Sequence, residues 1–315
     1  MKVVVIGGGT GTSTILRGLK RVTKDITAII CTTDDGGGSG ILREDYGMIP
    51  PGDFRNCLIA LSNSRKEFED LLNYRYKSGT YSGQSFGNLF IAAISDMYHG
   101  FESAIDYMGK FLNITGKIYP VTLEPSNLEA ILTNGTTVFG ETNIREEMVK
   151  TKARIENLRL SPHVPQAFSK VIDEIEDADF IFLGPGSLYS STIANLLVDG
   201  VADAIYNTKA KVIYIANAFS ELGESESLSL SHHVLEIEKY SKAGMIDYVF
   251  ATRNEYLQEI TPDEFKGRLV LTDDEDRKIL KDLEIDIIEG DFVDMVDGKL
   301  RHNGEKIGNI VKDLK

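Results

Sequence analysis

Cations are in short supply in this chain. Its 315 residues hold 34 Lys and Arg against 48 Asp and Glu, a formal charge of −14. General binding to nucleic acid or to an anionic membrane needs a cationic surface. Both are therefore excluded as its main business, though one local basic pocket is not. Cysteine is scarcer still. Cys31 and Cys57 are the only two, with no metal-ligand spacing and no disulfide framework. They read as structural thiols in a reducing cytosol. No apolar stretch reaches transmembrane length. The chain opens directly on a strand, with no basic stretch ahead of an apolar one, so no signal peptide and a cytoplasmic location are expected. Histidine spacing assembles neither a Ser/His/Asp nor a Cys/His arrangement. His99 and His163 read as surface residues, and His233 as a secondary site candidate at a helix start. No internal repeat and no low-complexity linker are visible.

What the chain does have is glycine in clusters. Gly7-Gly8-Gly9-Thr10-Gly11-Thr12 follows the apolar run Val3-Val4-Val5-Ile6. Asp34-Asp35-Gly36-Gly37-Gly38-Ser39-Gly40 closely follows Ile26-Thr27-Ala28-Ile29-Ile30-Cys31. Both runs are short and rich in β-branched residues, so they read as buried parallel strands. Each loop then sits at the carboxyl end of a strand, the edge where open α/β sheets bind ligands. Glycine lets the backbone approach a ligand and turn N–H groups toward it. A phosphate-bearing ligand suits such loops.

Further along, Pro50-Pro51-Gly52-Asp53 marks a helix start, with Asp53 as N-cap or first-turn acid and Arg55 in the first turn. Ser82 to Asn88 is another small-residue junction, ahead of an apolar helix. From Lys117 to Gly140 short strands replace helices, with Asn134-Gly135 as a hairpin turn. Strand and helix alternate again from Phe180-Ile181-Phe182-Leu183, which runs into Gly184-Pro185-Gly186-Ser187. The expected architecture is one Rossmann-like α/β domain over 1–315. It has a mostly parallel sheet flanked by helices and a β-rich excursion near 117–160.

The first loop departs from the dinucleotide fingerprint G-x-G-x-x-G. Gly7 and Gly9 fit, but Thr12 stands where the third glycine belongs. Phosphate binding is supported and nicotinamide binding is weakened. Thr10 and Thr12 add hydroxyl donors. Asp34 and Asp35 lie where a ribose-binding acid would lie, or where carboxylates would hold a divalent cation beside a diphosphate. A helix N-terminus carrying Arg55 suits an anion. Four such junctions suggest one extended polyphosphate site.

Taken in order, Gly7-Gly8-Gly9-Thr10-Gly11, Asp34-Asp35-Gly36-Gly37, Pro50-Pro51-Gly52-Asp53-x-Arg55-Asn56, Gly87-Asn88-Leu89 and Gly184-Pro185-Gly186-Ser187-Leu188-Tyr189 resemble the gluconeogenesis factor family of bacteria. That family is related to 2-phospho-L-lactate transferase of coenzyme F420 synthesis. The resemblance covers nearly the whole chain. It implies a Rossmann-like core with a ligand cleft, a role in gluconeogenic growth and in cell shape, and nucleotide sugars such as UDP-N-acetylglucosamine as ligands. The Arg301-His302 pair also resembles a family feature. Two departures bear on ligand choice. Ala218 to Glu221 stand where the family usually has Met-Thr-Gln, and Gly38 replaces a more usual serine.

The leading expectation is a regulatory protein that binds a UDP-sugar and reports to a partner protein. Gly8, Gly9, Thr10, Gly11 and Thr12 would face the diphosphate together with Gly184, Gly186, Ser187 and Leu188. Asp34, Asp35 or Asn217 would take ribose or sugar hydroxyls, and Arg55 or Arg301 would balance charge. Gly36, Ser39, Asp53, Asn56, Gly87 and Asn88 complete the expected ligand shell. The second expectation is a transferase in which Mg2+ on Asp34 or Asp35 neutralises a nucleotide diphosphate donor. The third is an NAD-binding protein. Association into homo-oligomers is also expected.

Overall fold

The computed structural model describes residues 1–296 and 298–314. Three strands open the chain: β1 (Val3–Gly7), β2 (Ile26–Ile30) and β3 (Lys117–Pro120). An antiparallel group follows, β4 (Asn127–Leu132), β5 (Thr137–Phe139) and β6 (Ile155–Ser161). Then come β7 (Phe180–Leu183), β8 (Lys211–Ile215), β9 (Tyr248–Thr252) and β10 (Asp286–Gly290), and a closing hairpin of β11 (Val293–Val296) and β12 (Lys299–His302). Among the described residues the main sheet has seven strands in the order β10-β9-β8-β7-β1-β2-β3, every neighbour parallel. This is the Rossmann-like α/β sheet that the apolar runs predict. No helix is long and apolar enough to cross a membrane among those residues.

Strand periodicity explains why the sheet needs cover on both faces. Successive side chains point to opposite sides. Val3 and Val5 enter one core with the helices Gly9–Leu19, Gly52–Leu61 and Gly304–Asp313. Val4 and Ile6 enter the other, with the helices Ser169–Glu176 and Leu230–Lys239 and with β4 and β6. All four valine and isoleucine side chains are fully buried.

One boundary differs from the sequence expectation. Lys117–Pro120 belongs to the main sheet, as its edge strand beside β2; the antiparallel excursion begins at Asn127. Four residues and two prolines nearby leave the strand's partner unreadable from local pattern. The Asn134-Gly135 turn does join β4 to β5. Gly135 takes φ 81° and its N–H donates to the Leu132 carbonyl at 2.8 Å.

The chain order places the ligand edge. From β1 it runs outward to β2 and β3, then returns to β7 on the other side of β1 and runs outward again. The switch point of the sheet therefore lies between β1 and β7, where the following loops diverge and leave a crevice.

The helix Gly9–Leu19, which leaves β1, is wedged against the C-terminal helix Gly304–Asp313. A Cβ on Gly18 would overlap the Glu305 backbone nitrogen. Helix propensity alone would make Gly18→Ala stabilising by about 1 kcal/mol. The close backbone approach reverses the sign, and Gly18→Ala should destabilise by about 1–3 kcal/mol as an overpacked contact. Urea unfolding decides between the two signs.

Candidate functional site

At the switch point the first and last glycine junctions touch. A Cβ on Gly11 would overlap the Pro185 carbonyl, and one on Gly186 would lie 3.4 Å from the Gly8 carbonyl oxygen. Only glycine lets the two backbones come this close. Asn217, just beyond β8, clamps the loop after β7 from both sides. Its Nδ2 donates to the Gly186 carbonyl at 2.8 Å, and its Oδ1 accepts from the Gly186 N–H at 3.3 Å. A cavity of about 430 Å³ opens here, lined by Gly8 to Gly11, Pro185 to Ser187, Asn217, Phe219, Arg301 and His302 among others. The size suits a small-molecule ligand.

Arg301 supplies the cation of this cavity. It is half-buried and has no hydrogen-bond or ion-pair partner among the described residues. The β11–β12 hairpin carries it. That hairpin is pinned by His302, whose Nε2–H donates to the Ala216 carbonyl at 3.0 Å. Desolvation pulls His302 down to about 4, so the ring is neutral at pH 7 and acts as a positioning group. Gly9 is the first residue of its helix, whose first turn holds no acid within the helix itself. Backbone N–H groups there favour an anion.

A second cluster lies beside the cavity. The Arg55 guanidinium is buried and internally engaged: Nη1 donates to Ser85 Oγ at 2.6 Å and to Asn88 Oδ1 at 2.9 Å, and Nη2 donates to Asn56 Oδ1 at 2.8 Å. Asn88 Nδ2 in turn donates to Ser39 Oγ at 3.4 Å, and Ser39 hydrogen-bonds Asp34. Gly87 sits against the Arg55 side chain, where a Cβ would come within 2.7 Å of Cδ. Burial lowers Arg55 to about 10, still protonated at pH 7.

Carboxylates join the two clusters. Asp53 stands in the first turn of its own helix and accepts the Gly9 N–H, linking the second helix start to the first loop. Desolvation first, then the nearby Asp34 charge, raise Asp53 to about 7. Asp34 is itself raised by burial, against the Gly36 N–H it accepts at 2.9 Å. Two further acids complete the group. Burial and the charges of Asp34, Glu224 and Asp53 hold Glu141 well above the usual carboxylate range. Burial and the neighbouring Glu221 raise Glu224 above the usual carboxylate range. Among the described residues no group of three or more His, Cys, Asp or Glu is arranged to hold a metal ion.

The expected site residues therefore divide. Gly8, Gly9, Thr10, Gly11, Gly186, Ser187, Asn217 and Arg301 line the cavity. Asp34, Ser39, Asp53, Arg55, Asn56, Gly87 and Asn88 form the adjoining network, and Gly36 caps the helix after the second loop. Thr12 is fully buried under the loop, with its Oγ1 where a Gly7 Cβ would be; helix–strand packing occupies the place of the third fingerprint glycine. Leu188 is a core residue, and Gly184 carries the turn after β7 at φ 78°. Asp35 turns away: its Oδ1 accepts from Thr142 N at 3.0 Å and Oγ1 at 2.7 Å, at the start of the helix Glu141–Thr151. The helical N–H groups after Ser187 are also taken, since Tyr189 and Ser190 both donate to Glu224 Oε1 at 2.8 Å. His233 lies in the core beneath Tyr214 Oη, which its Nδ1 meets at 3.1 Å, and not at the cavity.

Sequence reasoning missed Phe219, Glu141 and Glu224. Glu141 follows a lone glycine, and no local pattern marks it. Phe219 lies in the departing segment Ala218 to Glu221 after β8, and that departure is the signal that could have found it; Glu224 follows three residues later. A larger hollow of about 530 Å³ near Tyr46 and Leu123 carries Asp96 and Glu102 but no Lys or Arg, which disqualifies it for phosphate.

Residues 3–293 match the model of 2-phospho-L-lactate transferase CofD. The chain belongs to that family. Within the CofD family it is similar to gluconeogenesis factors. It is 42% identical over 313 residues to one from Thermoanaerobacterium thermosulfurigenes, covering 99% of this chain and 96% of that one. It is 36% identical over 318 residues to the Bacillus subtilis gluconeogenesis factor, covering 99% and 98%. A crystal structure of a Bacillus halodurans protein superposes with a TM-score of 0.90 at 34% identity over 99% of both chains.

The acid cluster fixes a pH dependence. Asp53 sits near 7 when folded and near 3.8 ordinarily, so the native state holds an extra proton between those values. Stability from this group is present at low pH, falls as pH rises through that window, and levels off above about 7. Asp53→Asn keeps an acceptor for Gly9 N–H and removes the titration. The variant should gain about 2–4 kcal/mol over wild type at pH 8 and almost nothing at pH 4. An equal difference at both pH values, read by denaturant unfolding, would refute the Asp53 titration.

Proposed function

We propose that this protein binds a nucleoside diphosphate sugar, a UDP-sugar such as UDP-N-acetylglucosamine, and acts as a regulator of gluconeogenic growth and cell-wall supply. The observation that carries the reading is Arg301, without a side-chain partner among the described residues, over a glycine-lined cavity at the sheet's switch point. The diphosphate sits between Gly9–Gly11 and Gly186–Ser187, where Arg301 meets its charge beside the helix start; the N–H groups of Gly9 and Gly186 are themselves held by Asp53 and Asn217. Phe219 offers an aromatic face for the base. Asn217 is held by Gly186 and shapes the cavity wall, while Ser187 Oγ donates to Glu221 Oε2 at 2.8 Å. The names of the gluconeogenesis factor relatives support the regulatory half of the reading.

A second reading is favoured by the family match and by the nearness of two carboxylates: burial first, and then the charge of neighbouring Asp34, raise Asp53 to about 7. Mg2+ is usually held by one or two carboxylates plus phosphate oxygens and waters. Asp34 and Asp53 fit that donor set, whereas Asp35 is committed to Thr142. Bound there, Mg2+ would neutralise a diphosphate donor and its leaving group. The chain's own part is to hold the donor against Gly9 and to keep Asp53 poised between its charged and neutral forms.

UDP-N-acetylglucosamine should raise the melting temperature in proportion to the logarithm of its concentration, because it binds only the native state. Arg301→Ala should weaken that binding about tenfold to a hundredfold, the loss of one charge-assisted contact. A shift with NAD and none with any uridine nucleotide would reject this assignment. For the second reading, Asp34→Asn should abolish any magnesium dependence of ligand binding while Asp35→Asn leaves it intact. Turnover is tested by chromatography of nucleotide sugars incubated with acceptor alcohols and magnesium: nucleoside monophosphate released by wild type and not by Asp34→Asn marks a transferase.

A further inference from the structure

One buried polar pair has no part in the ligand reading. Tyr214 stands on β8 and His233 on the helix Leu230–Lys239, which packs on the same face of the sheet. Both are buried, at 2% and 0% exposure. Their rings meet edge-on, with centroids 6.4 Å apart and planes at 74°. The contact is polar rather than stacked: Tyr214 Oη lies 3.1 Å from His233 Nδ1. Desolvation pulls His233 down to about 4, so the ring is neutral at pH 7. Its Nε2 is buried with no partner among the described residues. A leucine would fill this core without that orphan. Packing alone therefore does not account for the imidazole.

The phenol connects this pair to the cavity. Where β8 leaves the sheet, the Ala216 N–H still donates to the Phe250 carbonyl at 3.0 Å. The next N–H, that of Asn217, is taken by Tyr214 Oη. That donor fills one lone pair of the oxygen and leaves the hydroxyl proton for His233 Nδ1. Burial raises the phenol well above its ordinary range, so it keeps its proton at any working pH. A continuous polar run results. It passes from the imidazole to the phenol, to the Asn217 main chain, and on to the Asn217 amide, which bonds both polar groups of Gly186 at 2.8 and 3.3 Å. Fixing its N–H holds the Asn217 backbone, and with it the direction in which that amide points.

We propose that Tyr214, oriented by His233, is a positioning residue: it sets Asn217 and, through Asn217, the Gly186 turn against the diphosphate of the ligand. The proposal rests on the reading of the cavity as a site for a nucleoside diphosphate sugar. Neither Tyr214 nor His233 lines that cavity. Their effect is on how well the turn is formed before the ligand arrives. Removing the phenol oxygen loosens the turn and lowers affinity without deleting a ligand contact.

Hydrogen exchange of the ligand-free chain and calorimetric titration with UDP-N-acetylglucosamine test it. In Tyr214→Phe the Gly186 and Asn217 amides should exchange about tenfold faster than in wild type, after correction for any change at the β2 amides. The same variant should bind UDP-N-acetylglucosamine about fivefold to thirtyfold more weakly. His233→Leu should copy it. His233→Asn carries an acceptor near the place of Nδ1 and should recover affinity to within about threefold of wild type. Val234→Ala, in the same helix and core, controls for a mere loss of stability: it should lower the melting temperature and leave affinity unchanged. Wild-type exchange at Gly186 in Tyr214→Phe overturns the proposal, and so does wild-type affinity in that variant. It is equally overturned if His233→Asn binds no better than His233→Leu, or if Val234→Ala loses as much affinity as Tyr214→Phe. Should wild type bind no uridine nucleotide, the ligand reading fails by itself, and exchange at Gly186 alone decides whether Tyr214 positions the turn.

Discussion

Backbone contact between two loops organises this molecule. The turn after β1 and the turn after β7 lie against each other with no side chain between Gly11 and Pro185. Because β1 and β7 are neighbours in the sheet but far apart in the chain, that contact closes the floor of the cavity and fixes its width. Asn217 reinforces it by bonding both polar groups of Gly186. The floor of the cavity is thus built from main-chain groups, which have no rotamers to lose when a ligand arrives, and its walls from side chains such as Asn217, Phe219, Glu221 and Arg301.

The electrostatics of the region run against its own stability. Four acids, Asp34, Asp53, Glu141 and Glu224, are all raised by burial first and then by a neighbouring carboxylate: Asp34 by Asp35, Asp53 by Asp34, Glu141 by Asp34, Glu224 and Asp53, and Glu224 by Glu221. Buried like charges are costly and persist only where something offsets them. Part of the offset is internal: Gly36 donates to Asp34, Gly9 to Asp53, and Tyr189 and Ser190 to Glu224. The remainder is carried as protonation near neutral pH. A phosphate entering beside Asp53 would deepen that protonation, and a divalent cation would reverse it. Site and proton are therefore coupled whichever ligand binds, and the sign of the coupling separates the two functional readings.

The helix Phe86–Met97 begins at the Arg55 network. Its N-cap Ser85 accepts from both Asn88 N and Arg55. Anything that shifts this helix acts on the Arg55 network as well. The network is buried and cross-bonded at Nη1 and Nη2, while Arg55 Nε has no partner among the described residues.

How much of this is legible without the fold follows from the range over which each signal acts. Short β-branched runs ending in glycine determined the parallel sheet, because strand periodicity and loop conformation are local properties. The order of the motifs determined the family, since those residues are contiguous. Local pattern also suggested that Gly9, Gly11 and Gly186 face a ligand. The tertiary structure alone decided which polar groups are left free once folding has satisfied the rest. Asp34 and Asp35 are adjacent in sequence, yet one turns to Gly36 and Ser39 while the other is claimed by Thr142, more than a hundred positions away. Arg55 and Arg301 are equivalent as anion partners in the sequence; in the fold Arg55 is spent on Ser85, Asn56 and Asn88, and Arg301 is not. Hydrogen bonding between distant segments has no periodicity and leaves no mark in the one-dimensional pattern, which is why that selection belongs to the fold.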